Sequence, residues 1–231
     1  MTDNKMTDNQ DLVSKLLEEE LKNAQNFRSQ RQLQMTNKQS IPCQFFYWGP
    51  MLCKVRLHPD DLKKCAKLCS KQTNFVNSSL AGVIEEEHYM DPQEFSKIIE
   101  PYLISFRNCY RQWHGVPLSK KILTVTAWVN FMKAGEYNPP HLHAGCNFSS
   151  VLFIKIPDKL KEERSKFIGS GGGPGSISFL YGEFQEHSIS QQSFFPEEGD
   201  FFIFPATLIH FVAPFMCKEE RISIGANFKL A

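Results

Sequence analysis

The chain has 231 residues, with 26 lysines and arginines against 25 acidic residues and a formal net charge of +1. That balance gives no general electrostatic pull toward nucleic acid or a membrane surface. The 42% hydrophobic content, with twenty phenylalanines, suits one large domain with a sizeable core, or a domain with an extension. Seven cysteines, an odd number at irregular spacing, suit a reduced cytoplasmic protein with free thiols. No apolar leader stands in residues 1–20, and no run approaches the roughly 18 apolar residues of a membrane span.

Residues 1–8 repeat Met-Thr-Asp-Asn and read as a frayed end. From about Asp11 to Gln34, Leu12, Val13, Leu16, Leu17, Leu21 and Ala24 recur at helical spacing opposite Glu18, Glu19, Glu20 and Lys22. The pattern predicts an amphipathic helix within a 1–40 extension, a candidate surface for homodimerisation. Ile41 to Leu57 reads as strand interrupted at Pro42 and Gly49-Pro50. His58-Pro59-Asp60-Asp61 then opens a helix to about Gln72, with Cys65 and Cys69 as core packing. At Asp91-Pro92-Gln93-Glu94 an N-cap, a first-turn proline and a capping-box glutamate coincide. A helix carrying Phe95, Ile98, Ile99, Tyr102, Leu103 and Phe106 follows to about Trp113.

From Lys121 the period changes. Ile122–Val129, Ser149–Ile156, Ser176–Tyr181, Asp200–Phe204, Thr207–Pro214 and Arg221–Phe228 are short runs rich in Val, Ile, Phe and Thr. Helices first and strands second indicate an α+β chain: a mainly helical support over 41–120 and a jelly-roll or cupin-like β core over 121–231.

Three residue groups carry chemistry. His141 and His143 are two apart, the spacing that points side chains to one face of an extended chain, and Asn138-Pro139-Pro140 before them favours extension. His210 sits within Phe202-Ile203-Phe204-Pro205-Ala206-Thr207-Leu208-Ile209-His210-Phe211-Val212. A polar ring in such surroundings needs a partner, and a metal would serve all three histidines at once. Alternation on the last strand puts Arg221, Ser223, Gly225 and Asn227 on one face. An inward arginine is costly unless paired. A bidentate carboxylate ligand would pair it, with the Ser223 hydroxyl adding a bond; an ion pair with Glu219 or Glu220 would do so too. Cys146 and Cys217 lie near the histidines in sequence, so a closed His/Cys zinc site competes. The run Gly169–Gly175 lacks the Lys-Ser/Thr of a phosphate loop and reads as a hairpin loop or lid. His58, His88, His114 and His187 have no metal-like spacing.

With these residues assembled, the last ~110 residues resemble the 2-oxoglutarate/Fe(II)-dependent dioxygenases, and more narrowly the small prolyl-hydroxylase-like oxygenases of tailed phages and marine bacteria. The resemblance runs through Leu80-Ala81-Gly82, Ala127-Trp128-Val129-Asn130-Phe131 and Gly135-Glu136-Tyr137-Asn138-Pro139-Pro140-His141-Leu142-His143. It continues in Gly199-Asp200-Phe201-Phe202-Ile203-Phe204-Pro205, His210 and Glu220-Arg221-Ile222-Ser223. It implies a double-stranded β-helix with Fe(II) at its open end. His141 and His210 would be ligands, Arg221 the anchor for the distal carboxylate of the 2-oxoglutarate cosubstrate, and Ser223 and Asn130 further cosubstrate contacts. The broader superfamily uses H-x-D/E, whereas this chain has His143 at the second position, as the narrower group does. His143 then either ligates directly, the preferred reading, or stands one shell out with water in its place.

The function so implied is a dioxygenase, acting as a hydroxylase that couples O2 and 2-oxoglutarate to C–H oxidation. Its substrate is open among peptidyl proline, other side chains, nucleobases and metabolites. Phe131, Phe153, Phe204 and Phe211 are candidate apolar lining. A cupin-like metal protein without oxygenase activity (an isomerase or zinc-stabilised module) and a virion or interaction protein on the same fold are the alternatives. The compartment expected is the cytoplasm, that of the host cell if the chain is phage-encoded.

Overall fold

The computed structural model describes residues 49–69, 80–169 and 171–231. The expected helix over 11–34, the whole 1–40 extension and the strand start at Ile41 lie outside them. Among the described residues, Pro50–Leu103 and Lys120–Ala231 belong to one compact unit, which holds all of the strands.

Among the described residues, ten strands and three helices follow in the order β1 (Cys53–Arg56), α1 (Pro59–Leu68), β2 (Glu86–Met90), α2 (Pro92–His114), β3 (Ile122–Met132), β4 (Asn138–His141), β5 (Phe148–Lys155), α3 (Asp158–Ser165), β6 (Ile177–Leu180), β7 (Gln191–Phe194), β8 (Asp200–Pro205), β9 (Ile209–Val212) and β10 (Arg221–Leu230). α1 begins where expected, with the His58 ring accepting from the Asp60 N–H and Pro59 in the first turn. At the start of α2 the Asp91 carboxylate accepts from the Gln93 N–H at 2.8 Å.

The strands form two antiparallel sheets. The larger runs β1-β8-β5-β10-β3-β2 and the smaller β4-β9-β6-β7. β1 lies within the strand expected over Ile41–Leu57, β2 comes from the segment expected to be mainly helical, and the two extend the major sheet at its edges. β2 escapes a sequence reading because Glu85-Glu86-Glu87 looks like a solvated charge run. β7 escapes because Gln191-Gln192-Ser193 lacks β-branched residues, and α3 because its apolar stripe is reduced to the buried Leu160. The strand expected over Thr207–Pro214 is shorter, because Leu208 N–H closes a turn on the Pro205 carbonyl before β9 begins.

Alternation on β8 sends Phe202 and Phe204 between the sheets and Phe201 the other way, where it meets Phe95 of α2 edge-on at 6.4 Å. Between the sheets, Met132, Phe153, Phe202 and Phe204 of the major sheet pack with Ile177, Phe179 and Val212 of the minor one. The Phe179 ring lies 5.9 Å from Phe202 and 5.1 Å from Phe204.

Phe202 is fully buried and also touches Phe153 and Phe194. Phe202→Ala is expected to cost about 3–5 kcal/mol in urea unfolding, the usual loss for a large buried ring. A loss under ~1 kcal/mol would show that this ring does not join the sheets.

Candidate active site

The open end of the sandwich is built by three local features. β4 is irregular: it pairs with β9 only at Asn138–Val212 and His141–His210, since Pro139 and Pro140 have no N–H to give. That register sets His141 directly across from His210. His143 lies just past the end of β4 and keeps the alternation, with Leu142 turned half-exposed between the two rings. The His143 N–H donates to the Ala206 carbonyl at 2.8 Å, which ties this turn to the end of β8.

One ring nitrogen from each of His141, His143 and His210 falls within 4.8 Å of the others, the only such His/Cys/Asp/Glu group among the described residues. Two tautomers follow from the backbone. Nδ1 of His141 lies 2.7 Å from the Pro139 carbonyl, and Nδ1 of His210 lies 2.9 Å from that of Leu208. A carbonyl only accepts, so each Nδ1 carries the proton and each Nε2 is left with its lone pair toward the cluster. Nε2 of His143 stands 3.4 Å from Nε2 of His210, close to the ~3 Å between adjacent ligands on a metal with bonds near 2.1 Å. Phe204 and Phe179 flank His210 at 4.6 and 6.0 Å between ring centres, and Trp128 lies 5.8 Å from His143.

Desolvation pushes the His143 imidazolium down to about 4 and that of His210 to about 3, with neighbouring rings adding like-charge repulsion; burial also lowers His141. The rings are therefore neutral at pH 7, the form that ligates. Proton competition for a metal sets in well below the pH 6 that an unperturbed imidazole would suggest.

β10 supplies the second feature. It pairs with β3 on one side, Arg221 facing Met132, Ser223 facing Asn130 and Gly225 facing Trp128, and with β5 on the other. Ser223 and Gly225 line the cavity that also takes in Trp128, Asn130 and the three histidines. Gly225 is required there, because a β-carbon would sit 2.3 Å from the Trp128 indole. Asn130 Nδ2 reaches Ser223 Oγ at 3.4 Å, while the buried Asn130 Oδ1 has no hydrogen-bond partner.

Arg221 lies two residues further along the same face. It is 1% exposed, its guanidinium sits 5.2 Å above the Phe153 ring, and burial alone pulls it down to about 10. It has no carboxylate partner among the described residues, so the expected alternative of a pair with Glu219 or Glu220 is not formed. Its hydrogen bond goes to the Gly175 carbonyl at 3.2 Å, and Nε has none.

The third feature is α3. Gly175 (φ +69°) rests on Leu160, where a β-carbon would approach to 2.8 Å. The Glu163 carboxylate accepts from the N–H groups of Met216 and Cys217 at 2.8–3.0 Å, fixing the approach to Arg221. The glycine run is thus a helix-to-strand connection whose last carbonyl touches the arginine; it is not a hairpin loop.

Several expectations change. Cys146 approaches only the His143 carbonyl, and neither it nor Cys217 joins the histidine group, so the His/Cys zinc site is not formed. Of the four candidate lining rings only Phe204 lines the cavity. Phe153 lies under Arg221, Phe131 faces the other side against His88 at 5.8 Å, and Phe211 points away from His210 by alternation. Sequence reasoning missed Glu87 and gave Trp128 and Asn138 no role, although all three line the cavity.

The depressed histidines set the pH response of the metal-free protein. Unfolded imidazoles take up protons below about 6.5, whereas the folded ones refuse them until about 4 and 3. The unfolded state therefore binds more protons in this window, and stability present above pH 6.5 is lost as pH falls. Glu87, pushed up to about 7 by burial, opposes this by at most one proton. The melting temperature of the metal-free chain should fall from pH 6.5 to 4.5, and His210→Phe should flatten the slope. A constant melting temperature would contradict the burial of neutral rings.

The comparisons with known proteins agree with this geometry. Residues 126–227 match the family model described as "Putative 2OG-Fe(II) oxygenase". No curated protein matches the sequence. Among solved structures, HygX from Streptomyces hygroscopicus with nickel, 2-oxoglutarate and hygromycin B bound superposes at a TM-score of 0.51. It shares 7% identity over 78% of this chain and 82% of its own. A prolyl hydroxylase from Trichoplax adhaerens, in complex with a hypoxia inducible factor peptide fragment, superposes at 0.50 with 11% identity over 77% and 83%. These likenesses carry the fold, the double-stranded β-helix. Over residues 126–227, a little under half of the chain, the sequence is thus similar to the 2-oxoglutarate/Fe(II) oxygenases.

Proposed function

We propose that the chain is an Fe(II)- and 2-oxoglutarate-dependent dioxygenase working as a hydroxylase, with His141, His143 and His210 as metal ligands and Arg221 as the anchor for the cosubstrate's distal carboxylate. The observation that carries this reading is Arg221 itself. A fully buried guanidinium with no carboxylate partner among the described residues, and with Nε unsatisfied, is costly to fold. A carboxylate ligand offsets that cost with two parallel bonds. Arg221 shares its strand face with Ser223 and Gly225, which line the same cavity as the histidines.

The donor set fits the metal. Three neutral imidazoles, two of them held in the correct tautomer by backbone carbonyls, suit a borderline divalent ion such as Fe(II). Bound together, Fe(II), 2-oxoglutarate and O2 supply an oxidant able to remove hydrogen from an unactivated C–H bond. The chain's own part is to position and to exclude water. Arg221 orients the cosubstrate, Ser223 and Asn130 offer a hydroxyl and an amide along its path, and Phe204, Phe179 and Trp128 keep the histidines dry. The site is assigned to a cytoplasmic enzyme of the phage and marine-bacterial type, with the N-terminal segment as a dimer contact. Its prime substrate is one to be sought among peptidyl proline, other side chains, nucleobases and metabolites. Among the described residues no helix is long and apolar enough to cross a membrane.

A second reading has one observation in its favour: the cluster holds no carboxylate, and three histidines are also the ligand set of hydrolytic zinc centres. Anaerobic titration separates the two. The oxygenase reading expects Fe(II) to bind and 2-oxoglutarate to bind only after it, with succinate released when O2 and a substrate pool are admitted. Arg221→Lys should weaken 2-oxoglutarate by roughly 10- to 100-fold, the value of charge-assisted bonds, and leave iron affinity nearly intact. Zinc binding with no 2-oxoglutarate binding would favour the hydrolytic centre.

The role of His143 is tested by paired variants. His143→Ala should lower iron affinity by at least ~10-fold, and His143→Asp should restore it. Iron affinity unchanged in His143→Ala would place that ring outside the ligand set.

A further inference from the structure

Two chain segments fix Arg221: one touches its guanidinium and the other leads into its backbone. The first is the turn at residues 173–176, before β6. Its Gly175 carbonyl accepts from Arg221 Nη1 at 3.2 Å. That bond takes one end of the guanidinium and leaves the edge formed by Nε and Nη2, where Nε has no partner. The second segment, residues 213–217, follows β9. The Ala213 N–H donates to the Ser176 carbonyl at 3.0 Å, so the two segments are tied to each other. α3 holds both. Its Leu160, Glu163 and Arg164 stand at i, i+3 and i+4 and share a face. Leu160 packs under Gly175, where a β-carbon would approach to 2.8 Å. Arg164 lies against Gly173, where a β-carbon would come within 2.7 Å of its Nη1. Glu163 reaches the other segment and takes the Met216 and Cys217 N–H groups on its carboxylate at 2.8–3.0 Å. Bonds of this charge-assisted kind are about twice as strong as neutral ones.

We propose that α3 positions the cosubstrate anchor, with Glu163 as the positioning residue, and thereby sets the chain length of the 2-oxo diacid that the site accepts. The inference rests on the oxygenase reading above and deepens it. The register of β10 fixes the Arg221 backbone but leaves its long side chain a choice of rotamers. The Gly175 carbonyl selects among them. The place of that carbonyl is set directly by Leu160, and by Glu163 through residues 213–217 and the Ala213–Ser176 bond. A diacid held at one end by the histidine group and at the other by Arg221 must match the gap between them. A bidentate pair is strict about geometry, and a misplacement of about 1 Å can cost on the order of 100-fold. The helix therefore acts as a length gauge for the cosubstrate without touching it.

The test uses the full chain loaded with Fe(II) under argon, at a temperature where circular dichroism shows parent and variants folded. Calorimetry titrates 2-oxoglutarate and 2-oxoadipate, which is one methylene longer. The parent should bind 2-oxoglutarate at least ~10-fold tighter than 2-oxoadipate. Glu163→Ala should weaken 2-oxoglutarate by roughly 10-fold, bring the ratio of the two acids below ~3-fold, and leave Fe(II) affinity within that same factor. Glu163→Gln, which keeps one acceptor oxygen for the two N–H groups, should fall between parent and Glu163→Ala. A merely structural Glu163 would lower the melting temperature and leave the ratio unmoved, and that outcome would overturn the inference. Equal losses of iron and cosubstrate affinity would overturn it too. If Glu163→Ala does not fold, Glu163→Gln and Leu160→Val are read on the same ratio, and parental values in both would overturn it. A parent that binds Fe(II) but neither acid would sink the oxygenase reading and the inference together. A parent that binds the two acids equally would sink the inference alone.

Discussion

The arrangement of the site depends on the pairing of β10 with β3 and β5. Because this strand is hydrogen-bonded on both sides, its alternation cannot slip without turning Arg221, Ser223 and Gly225 out of the sandwich and Ile222 and Ile224 into it. The same register aligns Ser223 with Asn130, and Asn130 with Glu87 one strand further out. A second register, His141 against His210 in the minor sheet, brings two of the candidate ligands together from segments nearly seventy residues apart in sequence. The phenylalanine core between the sheets holds these two registers at a fixed separation. Packing there is accordingly a condition of the chemistry as well as of stability.

Desolvation acts on every ionisable group of the cavity and on Arg221 beside it. It lowers the histidines, lowers Arg221 and raises Glu87, in each case toward the neutral form. A cavity in that condition holds its charge-bearing groups at a free-energy cost that ligands can relieve. The metal-free fold therefore has a site whose electrostatics are completed by what binds there. The backbone carbonyls of Pro139 and Leu208 add direction, presetting Nε2 of two rings before any ion arrives.

Much of this was legible in the sequence, for identifiable reasons. His141, His143 and His210 stand out because a polar ring in an apolar or proline-stiffened run must find a partner, and Arg221 because strict alternation leaves it nowhere to go but inward. The β core was legible from β-branched and aromatic runs. Glu87 was not, because Glu85-Glu86-Glu87 looks like a solvated charge run until its strand is seen opposite Asn130. Asn138 and Trp128 carry no signal of their own; their positions follow from the β4 irregularity and from the missing side chain at Gly225. α3 was hidden by its polar sequence, and its structural work is done by Leu160 under Gly175 and by Glu163 on the Met216 and Cys217 amides. Those are contacts between segments, which no local pattern encodes.

With His143 as the proposed third ligand, the ligand set holds no carboxylate, which shifts where negative charge must come from. A centre with two histidines and one carboxylate cancels one unit of the metal's charge within the ligand set, whereas three neutral imidazoles cancel none. With Fe(II) and Arg221 present, the proposed pocket would carry three positive charges, and a dianionic cosubstrate would leave one over. Glu87, buried in the same cavity, is the group able to balance it by ionising. Its carboxyl, held near neutrality in the metal-free protein, would then be drawn toward the carboxylate as the positive charges assemble.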